Sequence, residues 1–268
     1  MYYFGFCEGI RKLNFSNISY SDLYDGACAE FYDSLVTNDL FDLAIYEKLF
    51  QGTDKKILEL ACGSGRIMLP LLEKGYDMSG VDLSEDMLNI LKKKCFKRDL
   101  TPDLYKGDMS SFKNEIKYDI VMLSHISISL LEPEKQEQLF YNVSKNLLKE
   151  DGIFIFNFMD LSLKLTTSQE LKPHYYFNKR KKSFAFLFEK VDLEAKKVFV
   201  NLYIESFIDE RTKRNIGVSC KNIIDKNEIN KFIKQSSLSL IDEKRIIVPE
   251  GFIVFYILKK SEKERKIK

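Results

Sequence analysis

Apolar positions along this chain switch between two periods, and the switches mark out its parts. Ile57, Leu58 and Leu60 form a short apolar run, and Ala61-Cys62-Gly63-Ser64-Gly65 follows as a turn. Ile67, Met68, Leu69, Leu71 and Leu72 then recur as an amphipathic helix. The same order repeats downstream. Strands are predicted near 56–61, 77–82, 102–106, 118–124 and 152–158, and helices near 65–74, 84–97 and 133–148. Such alternation predicts an α/β fold, a Rossmann-like sheet with helices on both faces. Ser84 is expected to cap one helix and Pro133 to fill the first turn of another.

The flanks read differently. Phe41, Leu43, Ile45, Tyr46, Leu49 and Phe50 sit at helical spacing and predict a helix over roughly 39–51; upstream, Ser21 or Asp22 is expected to cap a short helix. Residues 182–190 and 198–207 are aromatic and β-branched, and the polar stretch Asp192–Lys197 joins them as a hairpin. With a third strand at Ile216–Ser219 they predict an antiparallel β insert over 162–222. A helix from Lys226 to Gln235 leads to two last strands, Leu238–Ile241 and Phe252–Leu258, turned by Pro249-Glu250-Gly251. The last strand is then antiparallel in a seven-stranded mixed sheet.

The first three strands of the sheet each carry or meet an acid at the carboxyl end: Glu59, Asp82 and Asp108. In an open parallel sheet, ligands sit at those ends. Glycines allow a sharp turn and close approach of a ligand, and the next helix aims its free N–H groups back at the turn. An acid after the second strand suits the two hydroxyls of a ribose. The nicotinamide fingerprint G-x-G-x-x-G fails here, because Met68 stands at its third glycine and that fingerprint has no need of Glu59.

Glu59-Leu60-Ala61-Cys62-Gly63-Ser64-Gly65, then Val81-Asp82-Leu83-Ser84, Gly107-Asp108, Tyr118–Leu123 and Leu147–Gly152 resemble, in order, the motifs of the class I S-adenosylmethionine-dependent methyltransferases. The resemblance covers roughly residues 20–160. It implies S-adenosylmethionine as cofactor and S-adenosylhomocysteine as product. It also implies roles. Glu59 reaches the methionine amino group, and Gly63 and Gly65 let the main chain approach the methionine end. Asp82 holds the ribose, Leu83 and Met87 pack on adenine or belong to the core, and Asp108 accepts the adenine amino group while Met109 offers its N–H. Ala61, Arg66, Gly107 and Ser124 are placed beside the cofactor on the same grounds. Tyr24 and Tyr32 resemble the tyrosines of the family's Y-x-x-x-Y-D lead-in, within a segment that folds as a lid; Tyr24 is also carried as a catalytic candidate. The whole chain is then one domain: lid 1–52, cofactor-binding core 53–161, substrate-capping insert 162–222, return to the sheet 223–260 and charged tail 261–268.

His125, after the fourth strand, lies where cofactor and substrate meet in the family. It is read either as a proton acceptor or as a hydrogen-bonded structural histidine. Asp160 is a further catalytic candidate. Asn157, Asp160, Tyr175, Tyr203 and Glu205 are polar candidates for gripping substrate.

Composition narrows the partners. The net charge is +2, so no strong field draws nucleic acid or anionic membrane. Lys179-Arg180-Lys181-Lys182 is read as a solvated loop rather than an RNA surface, since no stacking platform accompanies it. The five cysteines are scattered, without a C-x-x-C, so neither disulfides nor metal are expected and a reducing cytoplasm fits. No apolar run is long enough to span a membrane, and Met1–Phe6 has no basic residue ahead of it, so no signal peptide is expected. The function expected is methylation of a small molecule or short peptide in natural-product tailoring. An amine of an amino sugar or a peptide α-amine is the favoured acceptor, and O-methylation stays open. Two further alternatives stay open, RNA methylation and a catalytically inert cofactor binder.

Overall fold

The computed structural model describes residues 1–261 except 16, 51, 161–168, 171–172, 179–181, 209–210 and 249–250. The basic run 179–182 up to Lys181, the turn residues Pro249 and Glu250 and most of the charged tail therefore lie outside the described residues. Packing divides the chain into two compact units. One is Met1–Leu35 with Leu165–Ile223; the other is Val36–Lys164 with Ile224–Lys268.

In chain order, the first unit holds α1 (Gly5–Lys12), β1 (Ile18–Asp22) and nearly all of α2 (Gly26–Val36). The second unit takes over with α3 (Leu43–Phe50), β2 (Lys56–Leu60), α4 (Met68–Glu73), β3 (Asp77–Asp82), α5 (Glu85–Phe96), β4 (Leu104–Lys106) and β5 (Tyr118–Leu123). A 3-10 turn (Ser127–Leu130), α6 (Pro133–Asn142), a π-helical turn (Val143–Leu147) and β6 (Leu148–Asp160) follow. The first unit then adds β7 (Gln169–Glu170), β8 (His174–Asn178), β9 (Ser183–Asp192), β10 (Lys197–Ile208) and β11 (Arg211–Asn222). The second closes with α7 (Lys226–Gln235), β12 (Leu238–Val248) and β13 (Gly251–Lys260).

The second unit is a seven-stranded sheet in the order β12-β13-β6-β5-β2-β3-β4. β2 pairs in parallel with both β3 and β5, and β13 runs antiparallel to β6 and β12. Alternation along each strand explains why both faces are covered. Leu58, Leu60, Val121, Leu123, Phe154 and Phe156 face α6 and α7. Ile57, Met78, Ile120, Met122 and Ile155 face α3, α4 and α5. Full burial of such side chains contributes about 1.5–3 kcal/mol each, which is what holds the strands in register.

In the first unit the sheet order is β1-β11-β10-β9-β7, with β8 also on β9. Cys7 of α1 packs on Tyr203, Ile216 and Val218 of one face. Cys28 of α2 packs on Ala185, Val200, Leu202 and Ile204 of the other. Fully buried Asn201 fastens the N-terminus to β10: its Oδ1 accepts the Phe4 N–H at 3.0 Å and its Nδ2 donates to the Tyr2 carbonyl at 2.9 Å.

Several boundaries differ from those predicted. Ser21 and Asp22 do not cap a helix; they end strand β1, which pairs in parallel with β11, and Asp22 accepts the Tyr24 N–H. The helix predicted over 133–148 stops at Asn142 and continues as one π-helical turn, and the third strand of the insert runs to Arg211–Asn222. Ser84 does cap α5, accepting the Met87 N–H at 3.2 Å, and Pro133 does stand in the first turn of α6.

Candidate functional site

The order of the seven strands reverses beside β2: the chain proceeds from β2 outward to β3 and β4, then returns to β5 on the other side. In open parallel sheets ligands bind outside the carboxyl ends of the strands at such a switch point, here those of β2 and β5. Glu59 of β2 and Ser124 after β5 meet there, the Ser124 hydroxyl donating to Glu59 Oε1 at 2.7 Å.

Glu59 is 1% exposed, and its other oxygen, Oε2, has no hydrogen-bond partner. Burial pushes its carboxyl up to about 7, against the opposing pull of the Ser124 hydrogen bond and the Arg66 charge. A buried carboxylate oxygen left without a donor is unfavourable by about 1–3 kcal/mol or more, so this atom is poised for a cationic or N–H partner.

The turn after β2 is shaped by left-handed residues. Ala61 has φ 51°, Gly63 54° and Gly65 83°. The two glycines serve different ends. A Cβ on Gly63 would meet nothing within 4 Å, so the space on that side of the residue is open. A Cβ on Gly65 would lie 2.4 Å from Leu91 Cδ1, so Gly65 is required by the packing of α5. Asp82 ties this turn to β3: its Oδ2 accepts the Gly63 N–H at 2.7 Å and its Oδ1 the Ser84 N–H at 2.8 Å.

Asp108, after β4, accepts the Ser110 N–H at 2.9 Å and hydroxyl at 2.7 Å on Oδ1, and pairs with Lys135 at 2.6 Å through Oδ2. Burial works against its charge, but the Lys135 and Ser110 hydrogen bonds outweigh it and hold its carboxyl below the usual range. Gly107 donates its N–H to the Asp82 carbonyl at 2.9 Å. Leu83 is 68% exposed, whereas Met87 and Met109 are buried. Leu83 is thus the apolar side chain presented to solvent beside Asp82.

The terminal nitrogens of Arg66 are held by the segment before α3. Its terminal nitrogens bind Asp42 in bidentate fashion at 2.6 and 2.8 Å, and Nη1 also donates to the Asp39 carbonyl at 2.6 Å. Asp42 is fully buried, and Arg66 keeps only Nε without a partner. Its main part is to brace the loop before α4 against the segment before α3.

Asn157 does not face a substrate. It is fully buried, accepts the Ile126 N–H at 2.7 Å and donates to the Tyr46 hydroxyl at 3.2 Å. His125, half-buried after β5, has φ 54°, and Ile126 has φ 62°. Asp160 is the last residue of β6, opposite Phe252.

The remaining candidates belong to the first unit. Tyr24 and Tyr32 pack edge to face at 5.2 Å, against the cluster of Leu23 and Cys28. Tyr203 and Glu205 are not open to a substrate. The Tyr203 hydroxyl donates to Glu205 Oε2, which also takes Arg214 Nε at 3.1 Å, and burial followed by Glu205 pushes the phenol up to about 12. Tyr175 is exposed on β8 with its ring edge-on to Phe186. Among the described residues no cluster of His, Cys, Asp and Glu has metal-holding geometry, and no helix is long and apolar enough to cross a membrane.

The sequence reading missed the Asp42–Arg66 pair and the Tyr46–Asn157 pair. Tyr46 sits on the apolar stripe of α3 and reads as core; only the partner's position in space reveals its polar role.

Comparison with known proteins agrees with this geometry. The profile of a family described as methyltransferase domain matches residues 57–152. A protein of Geobacillus sp. (strain WCH70), provisionally assigned as a methyltransferase, is 30% identical over 135 residues, 48% of this chain and 55% of that one. The chain thus spans about half the length of the curated relatives it matches. Weaker matches include a ubiquinone biosynthesis O-methyltransferase of Pelagibacter ubique, 25% identical over 41% of this chain and 44% of that one. A cypemycin N-terminal methyltransferase of Streptomyces sp is 28% identical over 38% and 41%. Among solved structures, an S-adenosylmethionine-dependent methyltransferase from Clostridium acetobutylicum superposes with TM-score 0.71 at 22% identity, covering 87% of this chain and 97% of that one. The sugar N-methyltransferase KedS8 from Streptoalloteichus sp does so with TM-score 0.70 at 12% identity, covering 88% and 94%. At such identities these structures speak for the fold.

Proposed function

We propose that this chain, whose residues 57–152 form a class I S-adenosylmethionine-dependent methyltransferase domain, methylates an amine of a small molecule or short peptide. The observation that carries the reading is Glu59: a buried carboxylate with one oxygen lacking a partner, next to a turn whose Gly63 faces open space. These residues fit S-adenosylmethionine. The orphaned Glu59 oxygen takes its ammonium, and the bare main chain at Gly63 admits its methionine end. Asp82, which accepts the Gly63 and Ser84 N–H groups, is the carboxylate assigned to the ribose hydroxyls. Exposed Leu83 offers an apolar face to adenine, and Asp108 a carboxylate to its amino group. The unpartnered Arg66 Nε–H suits the cofactor's carboxylate.

When bound, the cofactor supplies an electrophilic methyl group on a good leaving sulfur. The chain's own task is mainly alignment, which can be worth about 7–11 kcal/mol. An attacking amine must also arrive neutral, and its proton must go somewhere. His125, two residues past β5, and Asp160, the last residue of β6, are the groups assigned to accept it.

Nitrogen is favoured over oxygen because one sequence relative is by name a cypemycin N-terminal methyltransferase. The ubiquinone O-methyltransferases among the relatives support a second reading, an O-methyltransferase. Incubation with S-adenosylmethionine and a panel of amino sugars, short peptides and phenols, with products resolved by mass spectrometry, decides between them. Methylated amines are expected. Methylation of phenols alone would establish the second reading.

A further inference from the structure

We infer that Asn157, braced by Tyr46, is a positioning residue that clamps the turn after β5 so that Ser124 keeps its hydroxyl on Glu59. The inference deepens the reading of Glu59 as the ammonium partner and rests on it for its functional meaning.

Two successive non-glycine residues, His125 and Ile126, are left-handed at φ 54° and 62°. For a β-branched residue this conformation is a genuine outlier, and it persists only where neighbours over-determine it. Ile126 is held at both ends of its peptide unit. Its N–H goes to Asn157 Oδ1 at 2.7 Å, and its carbonyl accepts the Ser129 hydroxyl at 2.7 Å and the Ser129 N–H at 3.0 Å. Asn157 is in turn fixed through its Nδ2 by the hydroxyl of Tyr46, and both side chains are fully buried. Ser124 is two residues before Ile126, and its carbonyl accepts the Ser127 N–H at 3.1 Å, so the turn closes on the residue that holds Glu59. Were the clamp removed, the turn would relax towards ordinary φ, and the Ser124 hydroxyl would leave the carboxylate.

The consequence is readable without any ligand. The Ser124 hydrogen bond favours the charged form of Glu59. The other groups facing Glu59 are Asp42 before α3, Tyr46 on α3, Cys62 and Arg66 in the turn after β2, and Asp82 at the end of β3. Substituting Asn157 removes none of them, and of these groups it loosens only the hydrogen bond to the Tyr46 hydroxyl.

The experiment is a carbon-13 titration of the glutamate carboxyls in the full chain without ligand, with Glu59→Gln assigning the resonance. Asn157→Leu is expected to raise the Glu59 midpoint by about half a pH unit or more, towards that of Ser124→Ala. The double variant Ser124→Ala/Asn157→Leu should add nothing further. A merely structural Asn157 would lower melting temperature and leave the midpoint where it is in the wild type; that result overturns the inference. Should Asn157→Leu fail to fold, Asn157→Ser is titrated instead, since it withdraws the acceptor from the Ile126 N–H and keeps Tyr46 in the chain. An upward shift supports the clamp and an unmoved midpoint overturns it. Titration of the wild type with S-adenosylhomocysteine reads the functional assignment separately: a clamp that behaves as expected in a protein that binds no nucleoside leaves the inference standing and removes the cofactor.

Discussion

Ser124 Oγ stands 2.7 Å from Glu59 Oε1, joining the ends of β5 and β2 across the point where the strand order reverses. One hydroxyl cannot satisfy a fully buried carboxyl, so Glu59 is held near neutrality, at about 7 against an ordinary 4.5. The folded chain then binds a proton more readily than the unfolded chain between those two values. Stability contributed by this group is therefore lost as pH rises from about 4.5 to about 7. Glu59→Gln, which keeps the acceptor for Ser124, should equal the wild type in stability near pH 4.5. It should exceed it by as much as about 3 kcal/mol at pH 8, by urea unfolding. A constant difference across that range would show that Glu59 does not titrate in the window.

The same group sets the pH dependence of cofactor binding. An ammonium on Oε2 favours the charged carboxylate, so binding releases a proton wherever free Glu59 is protonated. Affinity for S-adenosylhomocysteine should climb from pH 5 to about 7, by up to about tenfold per unit, and level off. It should decline again at higher pH, where the ligand's own amino group deprotonates. Calorimetry in buffers of different ionisation enthalpy should find net proton release at pH 6, and a flat profile would remove the Glu59–ammonium contact.

Gly63 and Gly65 should separate cleanly on substitution. Gly63→Ala places a methyl in open space at φ 54°, costing about 1 kcal/mol in stability while weakening S-adenosylhomocysteine binding about tenfold or more. Gly65→Ala drives a methyl to 2.4 Å from Leu91 Cδ1 at φ 83°, costing about 2–4 kcal/mol in stability. Melting curves and binding isotherms on the two variants check the contrast.

The Asp42–Arg66 pair is buried and bidentate. Asp42→Ala strands the guanidinium and should cost about 3–5 kcal/mol in denaturant unfolding, whereas Asp42→Leu/Arg66→Met together should recover much of that loss. Equal losses in the single and double variants would mean that the pair is not coupled.

Much of this was legible in the sequence, because the signals were local. Glu59, Asp82 and Asp108 stand at strand ends in an order that alternation alone reveals, and the seven-stranded sheet followed from the same pattern. What was not legible depends on partners distant in sequence. The place of Arg66 after the glycines does not reveal Asp42, 24 positions upstream, which binds both of its terminal nitrogens. Asn157 reads as a strand-end polar group open to substrate, yet Tyr46, 111 positions away, and the Ile126 N–H enclose it. Tyr203 and Glu205 share one face of β10 and pair with each other and with Arg214. Short β1 lacks a period of its own, and only its register against β11 defines it.

The most direct test is a calorimetric titration of the wild-type chain at pH 7.5 with S-adenosylmethionine and, separately, S-adenosylhomocysteine. One site per chain with Kd below about 100 µM for both is predicted, abolished or weakened about a hundredfold in Asp82→Ala. Folded protein that gives no heat with either ligand at about 1 mM would contradict the assignment of the β2–β5 crevice as an adenosyl site.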